Sequence, residues 1–378
     1  MPSVLFYVGS VNRGIGYVAK AAGKGIAAFR LDLDSGTTEL LGVTEGVDNP
    51  TFVQVSSDGR SLAAVSEVDG WNEGLVTGYA IDADTGALEY LSKQPTRGDY
   101  TAHLGHDNSG RFVGIANYGG LPITAKPNRS IAIYPRAEDG TLGSLVAEAT
   151  HLGKGSVTGR QDRPHAHCIA WTPDNRFVVI ADLGIDRLVV YRFDGQTGAL
   201  SAHGETVLPP GSGPRHLQFH PTLPCAYLVN ELSCTLSSLA FDASLGAFAV
   251  LASTSTLPPG EHNGSSASAI AIAGGGKHLF VGNRGHDSVA SFAIDQTTGI
   301  ARFIDITPSG GHIPRDFAFD PTGHVLAVAN QESNRINLFR YQPETGALVP
   351  LGEPIQTGSP TAIAFHPTVR KETSRTSP

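Results

Sequence analysis

The sequence lacks the features that mark several common classes of protein. Its 378 residues include only three cysteines, whose odd number and irregular spacing argue against a disulfide framework and against a zinc site. No stretch reaches the ~18 apolar residues of a membrane-spanning helix. The N-terminal "MPSVLFYVGSVNRG" has no basic segment followed by a long apolar stretch, as a signal peptide would. These absences predict a soluble protein of a reducing compartment, most simply the cytoplasm, with no membrane partner.

Charge of positive sign is also scarce. Only 16% of the residues are charged, the formal net charge is -8, and the one basic run is the short "RKETSR" near the C-terminus. Nucleic acid is therefore not expected as a partner. An anionic small molecule stays compatible with this composition, because a local pocket can be positive on an acidic protein.

No segment has a convincing helical periodicity, and a β repeat is present instead. Seven turn motifs such as "DADTGALEYL" and "QPETGALVPL" place a glycine between alternating apolar runs. The glycines are Gly36, Gly86, Gly140, Gly198, Gly246, Gly299 and Gly346, separated by 50, 54, 58, 48, 53 and 47 residues. Asp, Thr and Gly between apolar runs are typical of hairpins, in which Gly supplies a positive φ.

A second motif falls between these turns and completes the repeat. In "PRHLQFHPTLPCAYLVNE" a short apolar strand, a turn and another short strand follow one another. Four strands in roughly 50 residues, repeated seven times, predict an all-β, seven-bladed β-propeller of four-stranded antiparallel blades. The last repeat ends at "PTAIAFHP" and the N-terminus supplies "VLFYVGS", so we expect N- and C-terminal strands to close the ring in one blade. The expected domain is 1–367, followed by a flexible tail, 368–378.

Aligned repeats place two rings of side chains at equivalent points. The first ring, where each inner strand begins, is Thr51, Ala102, His167, Arg215, Ser268, Arg315 and Thr361. The second ring, 15 residues later in six repeats, is Ser66, Asn117, Asp182, Asn230, Asn283 and Asn330, directly followed by Glu67, Tyr118, Leu183, Glu231, Arg284 and Gln331. Uncompensated burial of such charged groups costs several kcal/mol. We therefore expect them in a polar central channel near one mouth, although Asn or Asp at a strand end can also serve only to bond neighbouring backbone.

Seven segments carry a resemblance to a known family. They are "ANYGG" (116–120), "RQDRPHAHC" (160–168), "GPRHLQFHP" (213–221), "VNELS" (229–233), "NRGHDSV" (283–289), "PRDFAFDPTG" (314–323) and "ANQES" (329–333). Together they resemble the β-propeller lactonase family, which includes bacterial 6-phosphogluconolactonase and the fungal carboxy-muconate lactonizing enzyme, over about residues 4–366. The resemblance implies a hydrolase that opens a sugar lactone, phosphorylated or not, without a cofactor.

The resemblance also implies which residues act. Those that match the His, Glu and two Arg of muconate-lactonizing relatives are His167, Glu231, Arg215 and Arg284. Glu231 or His167 would be the general base on water, and the two arginines would hold the oxyanion and the substrate anion. The substrate-binding candidates are His165, His216, Arg315, Glu67, Asn283, His286, Gln331 and Tyr118. Arg315 would help to anchor a phosphate or carboxylate.

Departures from the family pattern leave the substrate open. Ser66 stands before Glu67 where many relatives have Asn, and Ala269 stands where relatives often have Glu. The insertion "GGLPITAKPNRS" (119–130) is expected to contribute to a lid over the mouth.

Three alternatives to the lactone hydrolase remain at this point. A cycloisomerase would use similar residues, and a non-catalytic propeller would dock proteins on its faces. A metal-dependent lactonase would use His165, His167 and Asp182, although calcium-type lactonase propellers have oxygen-rich shells. A metal-independent enzyme that acts as a monomer or weak homo-oligomer is the expectation.

Overall fold

Seven four-stranded antiparallel sheets form the protein in the computed structural model, which describes residues 2–18, 20–120, 127–261 and 264–371. Blade 1 consists of β4 (Pro50–Val55), β5 (Ser61–Ser66), β6 (Leu75–Ile81) and β7 (Leu88–Pro95), and blade 2 of β8 (Thr101–His106), β9 (Phe112–Asn117), β10 (Ile131–Pro135) and β11 (Ala147–Ala149). Blade 3 consists of β12 (Ala166–Trp171), β13 (Phe177–Asp182), β14 (Arg187–Phe193) and β15 (Leu200–Val207), and blade 4 of β16 (Pro214–Phe219), β17 (Cys225–Asn230), β18 (Thr235–Asp242) and β19 (Ala247–Ser255).

The remaining blades follow the same order. Blade 5 consists of β20 (Ser266–Ile272), β21 (His278–Arg284), β22 (Ser288–Ile294) and β23 (Ala301–Pro308), and blade 6 of β24 (Pro314–Phe319), β25 (Val325–Asn330), β26 (Arg335–Gln342) and β27 (Ala347–Gln356). Blade 7 joins β28 (Pro360–Lys371) to β1 (Pro2–Ser10), β2 (Ile26–Asp32) and β3 (Thr38–Thr44). Two 3₁₀ turns, Leu183–Ile185 and Gln331–Ser333, follow β13 and β25.

The first strand of each blade faces a common axis. These seven strands, β4, β8, β12, β16, β20, β24 and β28, contact one another in that cyclic order, and β28 contacts β4. β28 pairs with β1 in an antiparallel ladder from Ser10↔Pro360 to Pro2↔Lys371. The predicted seven-bladed β-propeller and its closure by the two chain ends in one blade are therefore confirmed.

The seven predicted turn glycines form the outer hairpin turns. All seven have positive φ, between 62° and 98°. In the first turn the side chain of Asp32 accepts hydrogen bonds from the backbone N–H groups of Asp34 and Ser35 at 3.0 and 2.8 Å. The aspartate thus fixes the turn and the glycine allows the chain to reverse, as the repeat predicted.

A β-bulge lies near the start of every inner strand. In β12, Ala166 pairs with Asp182 and Cys168 with Ala181, so His167 has no ladder partner. Arg215 lies between the paired Pro214 and His216 in the same way. The other bulges fall at Thr51, Ala102, Ser268 with Ala269, Arg315 and Thr361. A bulge re-aims its side chain, which explains why the first ring departs from the apolar pattern of the strands.

Each adjacent pair of blades encloses an apolar core. Blades 6 and 7, for example, bury Phe6, Leu31 and Ile336 between them, and equivalent clusters fill the other blade interfaces. Full burial of one such side chain stabilises the fold by roughly 1.5–3 kcal/mol. Packing therefore holds the seven inner strands in place around the axis.

The expected C-terminal tail and the expected lid lie partly outside the described residues. β28 runs to Lys371, four residues past the expected domain boundary at 367, and positions 372–378 of the expected tail are outside the described residues. Residues 121–126, in the insertion expected to contribute to a lid, are outside them as well. Across the described ranges, no helix has the length and apolar character that crossing a membrane requires.

Candidate active site

One mouth of the axial channel opens into a cavity of about 310 Å³. First-ring residues and residues that directly follow the second ring meet there. The lining comprises Tyr17, Glu67, Tyr100, Ala102, Tyr118, Arg160, His167, Glu231, Ser266, Arg284 and Arg315. The structure thus brings together residues from all seven blades that are far apart in the chain, as the ring argument predicted.

Glu231 is the centre of a cluster of guanidinium groups. Its Oε2 lies 2.7 Å from Arg284 Nη2 and 3.1 Å from Arg215 Nε, and its Oε1 lies 2.5 Å from Arg160 Nη2. The backbone N–H of Glu231 donates to the Gly213 carbonyl at 2.7 Å, which fixes the start of the loop after β17. The carboxylate is therefore held in one orientation by three cations.

Electrostatics keep this carboxylate ionised. Burial alone would raise the pKa of Glu231, but Arg284 and Arg215 lower it well below its usual value. Burial and the charge of Arg284 lower the pKa of Arg215 to about 9, so Arg215 stays protonated at neutral pH. At pH 7 these groups therefore keep their charges and neither take up nor release protons.

His167 provides a neutral base beside these charges. Burial, and then Arg215, lower its pKa well below the ordinary value, so the imidazole is uncharged at neutral pH. Its Nδ1 is buried with no hydrogen-bond partner among the described residues, and the same holds for Nε of Arg284. A buried polar atom without a partner costs about 1–3 kcal/mol, and such atoms are retained where a ligand or water completes them.

A second acidic group lies across the cavity. Tyr17 donates a hydrogen bond from its hydroxyl to Glu67 Oε2 at 2.6 Å, and the Arg315 guanidinium lies 4.1 Å from the centre of the Tyr17 ring. Burial raises the pKa of Glu67, although Arg315 opposes this shift. Glu67 and Arg315 form a second charged set, separate from the Glu231 cluster.

Two predicted histidines support the site from its edges. His165 stacks on Tyr118 with the ring centres 4.1 Å apart and bonds the Tyr118 carbonyl at 2.6 Å through Nδ1. His216 packs edge-on against His167, with 5.2 Å between ring centres, and approaches Arg215 Nη1 to 3.3 Å. Neither His165 nor His216 lines the cavity, so each orients a neighbour that does.

Four other predicted site residues are not among those that line the cavity. One is Arg215, which lies directly behind the lining in contact with Glu231. The other three bond elsewhere. Asn283 is fully buried and donates to the Thr256 carbonyl at 2.8 Å. His286 bonds Ser288 and Glu261 at 2.8 and 2.7 Å. Gln331 is buried and donates to the Tyr17 carbonyl at 3.4 Å and to Glu332 at 2.9 Å. For Asn283, a member of the second ring, a hydrogen bond to neighbouring backbone is the alternative role that the sequence left open.

The repeat did not identify four of the lining residues. One of them, Ser266, is the first residue of β20 and precedes the ring position by two residues. Arg160 lies in the loop between β11 and β12, Tyr17 in the loop between β1 and β2, and Tyr100 directly before β8. Loop residues have no equivalent in the other blades, so the ring alignment could not find them. The only signal for Arg160 was its place in "RQDRPHAHC", a segment that carried the family resemblance.

The carboxylate of Asp182 already has partners. Its Oδ1 accepts from the backbone N–H of His165 at 2.7 Å and its Oδ2 lies 2.6 Å from His151 Nδ1. Within the described ranges, no group of three or more His, Cys, Asp or Glu side chains is arranged to hold a metal ion.

A second chamber of about 490 Å³ lies among the inner strands. Gln54, Gln218 and Asp316 line it, and their side chains accept from backbone N–H groups of the next inner strand at 3.2, 3.0 and 2.9 Å. Burial raises the pKa of Asp316 to about 6. The polar side chains that line this second chamber thus link the inner strands of adjacent blades.

Comparison with known proteins agrees with this fold. Residues 6–365 match the family described as "Lactonase, 7-bladed beta-propeller", and the chain belongs to that family. It is similar to a 6-phosphogluconolactonase of Bacillus subtilis, with 35% identity over 94% of this chain and 99% of the relative. A 6-phosphogluconolactonase of Formosa agariphila is 32% identical over 88% of this chain and 92% of its own.

A solved relative has the same architecture. The periplasmic gluconolactonase of Pseudomonas aeruginosa superposes with a TM-score of 0.87 at 30% identity, covering 96% of this chain and 99% of that one. The resemblance inferred from the seven motifs is confirmed, and the chain is a lactonase-type enzyme.

Proposed function

We propose that the protein hydrolyses an anionic sugar lactone, with 6-phosphogluconolactone as the leading substrate, in the cavity around Glu231. The observation that carries the proposal is the neutral His167 in the same cavity as Glu231, a carboxylate that three guanidiniums hold in place. The names of the Bacillus and Formosa relatives support the choice of lactone.

Charge favours an anionic substrate. Arg160, Arg284 and Arg315 line the cavity, and Arg215 contacts Glu231. These four cations face two carboxylates, Glu67 and Glu231, so two positive charges remain when both are ionised. A local excess of positive charge on a chain of net charge -8 draws an anion to this mouth.

The geometry supports a direct attack by water. His167 takes a proton from a water molecule as its oxygen bonds to the lactone carbonyl carbon. The carbonyl oxygen becomes an oxyanion, which the guanidiniums of Arg215 and Arg284 stabilise. The ring C–O bond then breaks, and the imidazolium of His167 returns the proton to the leaving oxygen, which leaves a hydroxy acid. Glu231 keeps the guanidiniums oriented, and His167 rather than Glu231 is the base because three cations occupy that carboxylate.

A panel of freshly prepared lactones tests this proposal. Acid release is followed with 6-phosphoglucono-δ-lactone and δ-gluconolactone, each corrected for spontaneous opening, and a muconate tests the cycloisomerase alternative. We expect opening of the sugar lactones and a loss of ~10²–10³ in kcat for Arg215→Ala. Arg187→Ala, which removes an exposed guanidinium paired with Glu205 on the outside of blade 3, is the matched control.

Two results would count against the proposal. Full activity of Arg215→Ala would remove the oxyanion assignment, and turnover of the muconate alone would make the protein a cycloisomerase. Cytoplasmic location is also part of the proposal, supported by three buried cysteines that form no disulfide. Cell fractionation tests it, and recovery from the periplasm, the compartment named for the Pseudomonas relative, would contradict it.

A further inference from the structure

Arg160 differs from the other two guanidiniums on Glu231 in its exposure. Its side chain is 42% exposed, whereas those of Arg215 and Arg284 are 3% and 14% exposed. An exposed guanidinium is moved at a much lower desolvation cost than a buried one. Arg160 is therefore the member of the cluster that an incoming anion reaches first.

The backbone next to Arg160 is held rigidly although the side chain faces solvent. Gln161 is 1% exposed, and its Nε2 donates to the Leu183 carbonyl at 2.8 Å and to Asp186 Oδ1 at 2.7 Å. Its Oε1 accepts from the N–H groups of Ser156 and Val157 at 3.0 and 3.1 Å. The loop thus presents Arg160 at a fixed place on the rim, with only its side chain left to move.

The two oxygens of Glu231 are not equally supported. Oε2 faces both Arg215 and Arg284, whereas the described cation on Oε1 is Arg160. If Arg160 turned away, Glu231 would keep two ion pairs and its backbone bond to Gly213. The ion pair that Arg160 loses with Oε1 of Glu231 is replaced when its guanidinium pairs with an anionic group of the substrate. The exchange of Glu231 for that group therefore costs little free energy.

We propose that Arg160 reads the phosphate of the substrate, exchanging Glu231 Oε1 for a phosphate monoester at the rim of the cavity. The inference rests on the proposed function and assigns to Arg160 the preference for a phosphorylated over an unphosphorylated lactone. The planar fork of Arg suits two phosphate oxygens at once. Tyr118 lines the same cavity beside Arg160. Arg160 is a specificity residue, whereas His167, Arg215 and Arg284 serve the reacting carbonyl.

The test compares two lactones that differ only in the phosphate. We measure kcat and KM of wild type, Arg160→Gln, Arg160→Lys and Lys154→Gln with 6-phosphoglucono-δ-lactone and δ-gluconolactone. Lys154 is exposed on the same loop, so Lys154→Gln removes one positive charge without touching the cavity. We expect Arg160→Gln to lower kcat/KM for the phosphorylated lactone, mainly through KM, by a factor ~10–100 larger than the factor by which it lowers kcat/KM for the other lactone. Arg160→Lys should recover part of the loss, and Lys154→Gln should change both values by less than about 3-fold.

Two kinetic outcomes overturn the inference. Equal loss on both lactones in Arg160→Gln means that Arg160 only supports Glu231. The same selective loss in Lys154→Gln means that the general field of the loop, and not the fork of Arg160, attracts the phosphate.

A binding measurement separates this inference from the proposed function. Calorimetry with the products 6-phosphogluconate and gluconate needs no turnover. If wild type opens neither lactone, the proposed function is overturned, and the binding data still decide the role of Arg160. Loss of 6-phosphogluconate affinity in Arg160→Gln but not in Lys154→Gln supports that role, and unchanged affinity overturns it.

Discussion

His167 and Glu231 show how surroundings assign roles to two groups that the sequence left interchangeable. Both are almost completely buried in one cavity, and either residue type can serve as a general base. Three guanidiniums hold Glu231 as a fixed anion, whereas burial keeps His167 neutral and leaves its Nδ1 without a partner among the described residues. Arg160, the guanidinium that pairs with Oε1 of Glu231, lies in a loop that has no equivalent in the other repeats. The sequence alignment of the repeats therefore could not show that Glu231 is fully paired.

Replacement of His167 tests its role as base. His167→Gln removes the basic nitrogen and should lower kcat by ~10²–10⁴. His203→Gln, on the outer strand β15, is the matched control and should keep full activity. Since the pKa of His167 is lowered well below its ordinary value, wild-type kcat should stay flat as the pH falls from 7 to about 6. An activity midpoint at or above pH 6.5, or an active His167→Gln, would contradict the assignment.

Asp316 should destabilise the folded protein at neutral pH. Its folded-state pKa of about 6 lies above the ordinary value of 3.8, so protonation favours the folded state. Stability from this group is fully present below the unfolded pKa and is lost as the pH rises through about 6. Asp316→Asn can still accept the Ile363 N–H bond but cannot ionise, so between pH 7.5 and 5 wild type should gain about 1 kcal/mol relative to the variant. Urea unfolding at both pH values measures this, and a pH-independent difference would be inconsistent with the shift.

At the scale of the element, each blade combines a hairpin turn that the sequence predicts with a bulge that it does not. The spacing of Asp, Thr and Gly identifies the outer turns, because glycine is the residue that adopts a positive φ at the lowest cost. A bulge is one extra residue among many alternating ones, and nothing in "PHAHC" or "GPRHL" distinguishes it from a regular strand. The turn glycines were enough to align the two rings. The bulges that turn the first-ring side chains inward became visible only in the strand registers of the structure.

A glycine pair tests the turn argument. Gly198 has a φ of 76°, and a Cβ there would lie 2.5 Å from Phe112 Cε1. Gly198→Ala should lower the free energy of unfolding by about 1–3 kcal/mol. Gly204, on the same hairpin, has no atom within 4 Å of the corresponding Cβ, so Gly204→Ala is the control and should change stability by less than about 0.5 kcal/mol. Equal effects in denaturant unfolding would show that backbone conformation is not the cause.

At the scale of the whole molecule, closure of the ring holds seven blades at the right places around one mouth. The repeat predicted seven blades and the joining of the chain ends, since the last repeat lacked strands that the N-terminus supplies. Asn283, Gln331 and His286 were selected by ring position or motif, yet their side chains bond neighbouring backbone or side chains. Position in a repeat indicates depth along the axis but does not determine where a side chain points.

Removal of the closing strand tests the dependence on the ring. A chain that ends at residue 359 lacks β28, which pairs with β1 and contacts β4 and β24. We expect it to lose cooperative thermal unfolding, because the edge of β1 is opened and the packing against β4 and β24 is lost. A chain that ends at Lys371 keeps every described pair of the ladder and should unfold within about 2 °C of the full chain. A cooperative transition in the shorter chain would contradict the closure argument.

The position of the bound product tests the central claim most directly. In a crystal structure with 6-phosphogluconate, we predict the carboxylate between Arg215 and Arg284, within hydrogen-bond distance of both, and the phosphate against Arg160 at the rim. Product bound only in the chamber around Gln54 and Asp316, or on the outer strands, would contradict the account.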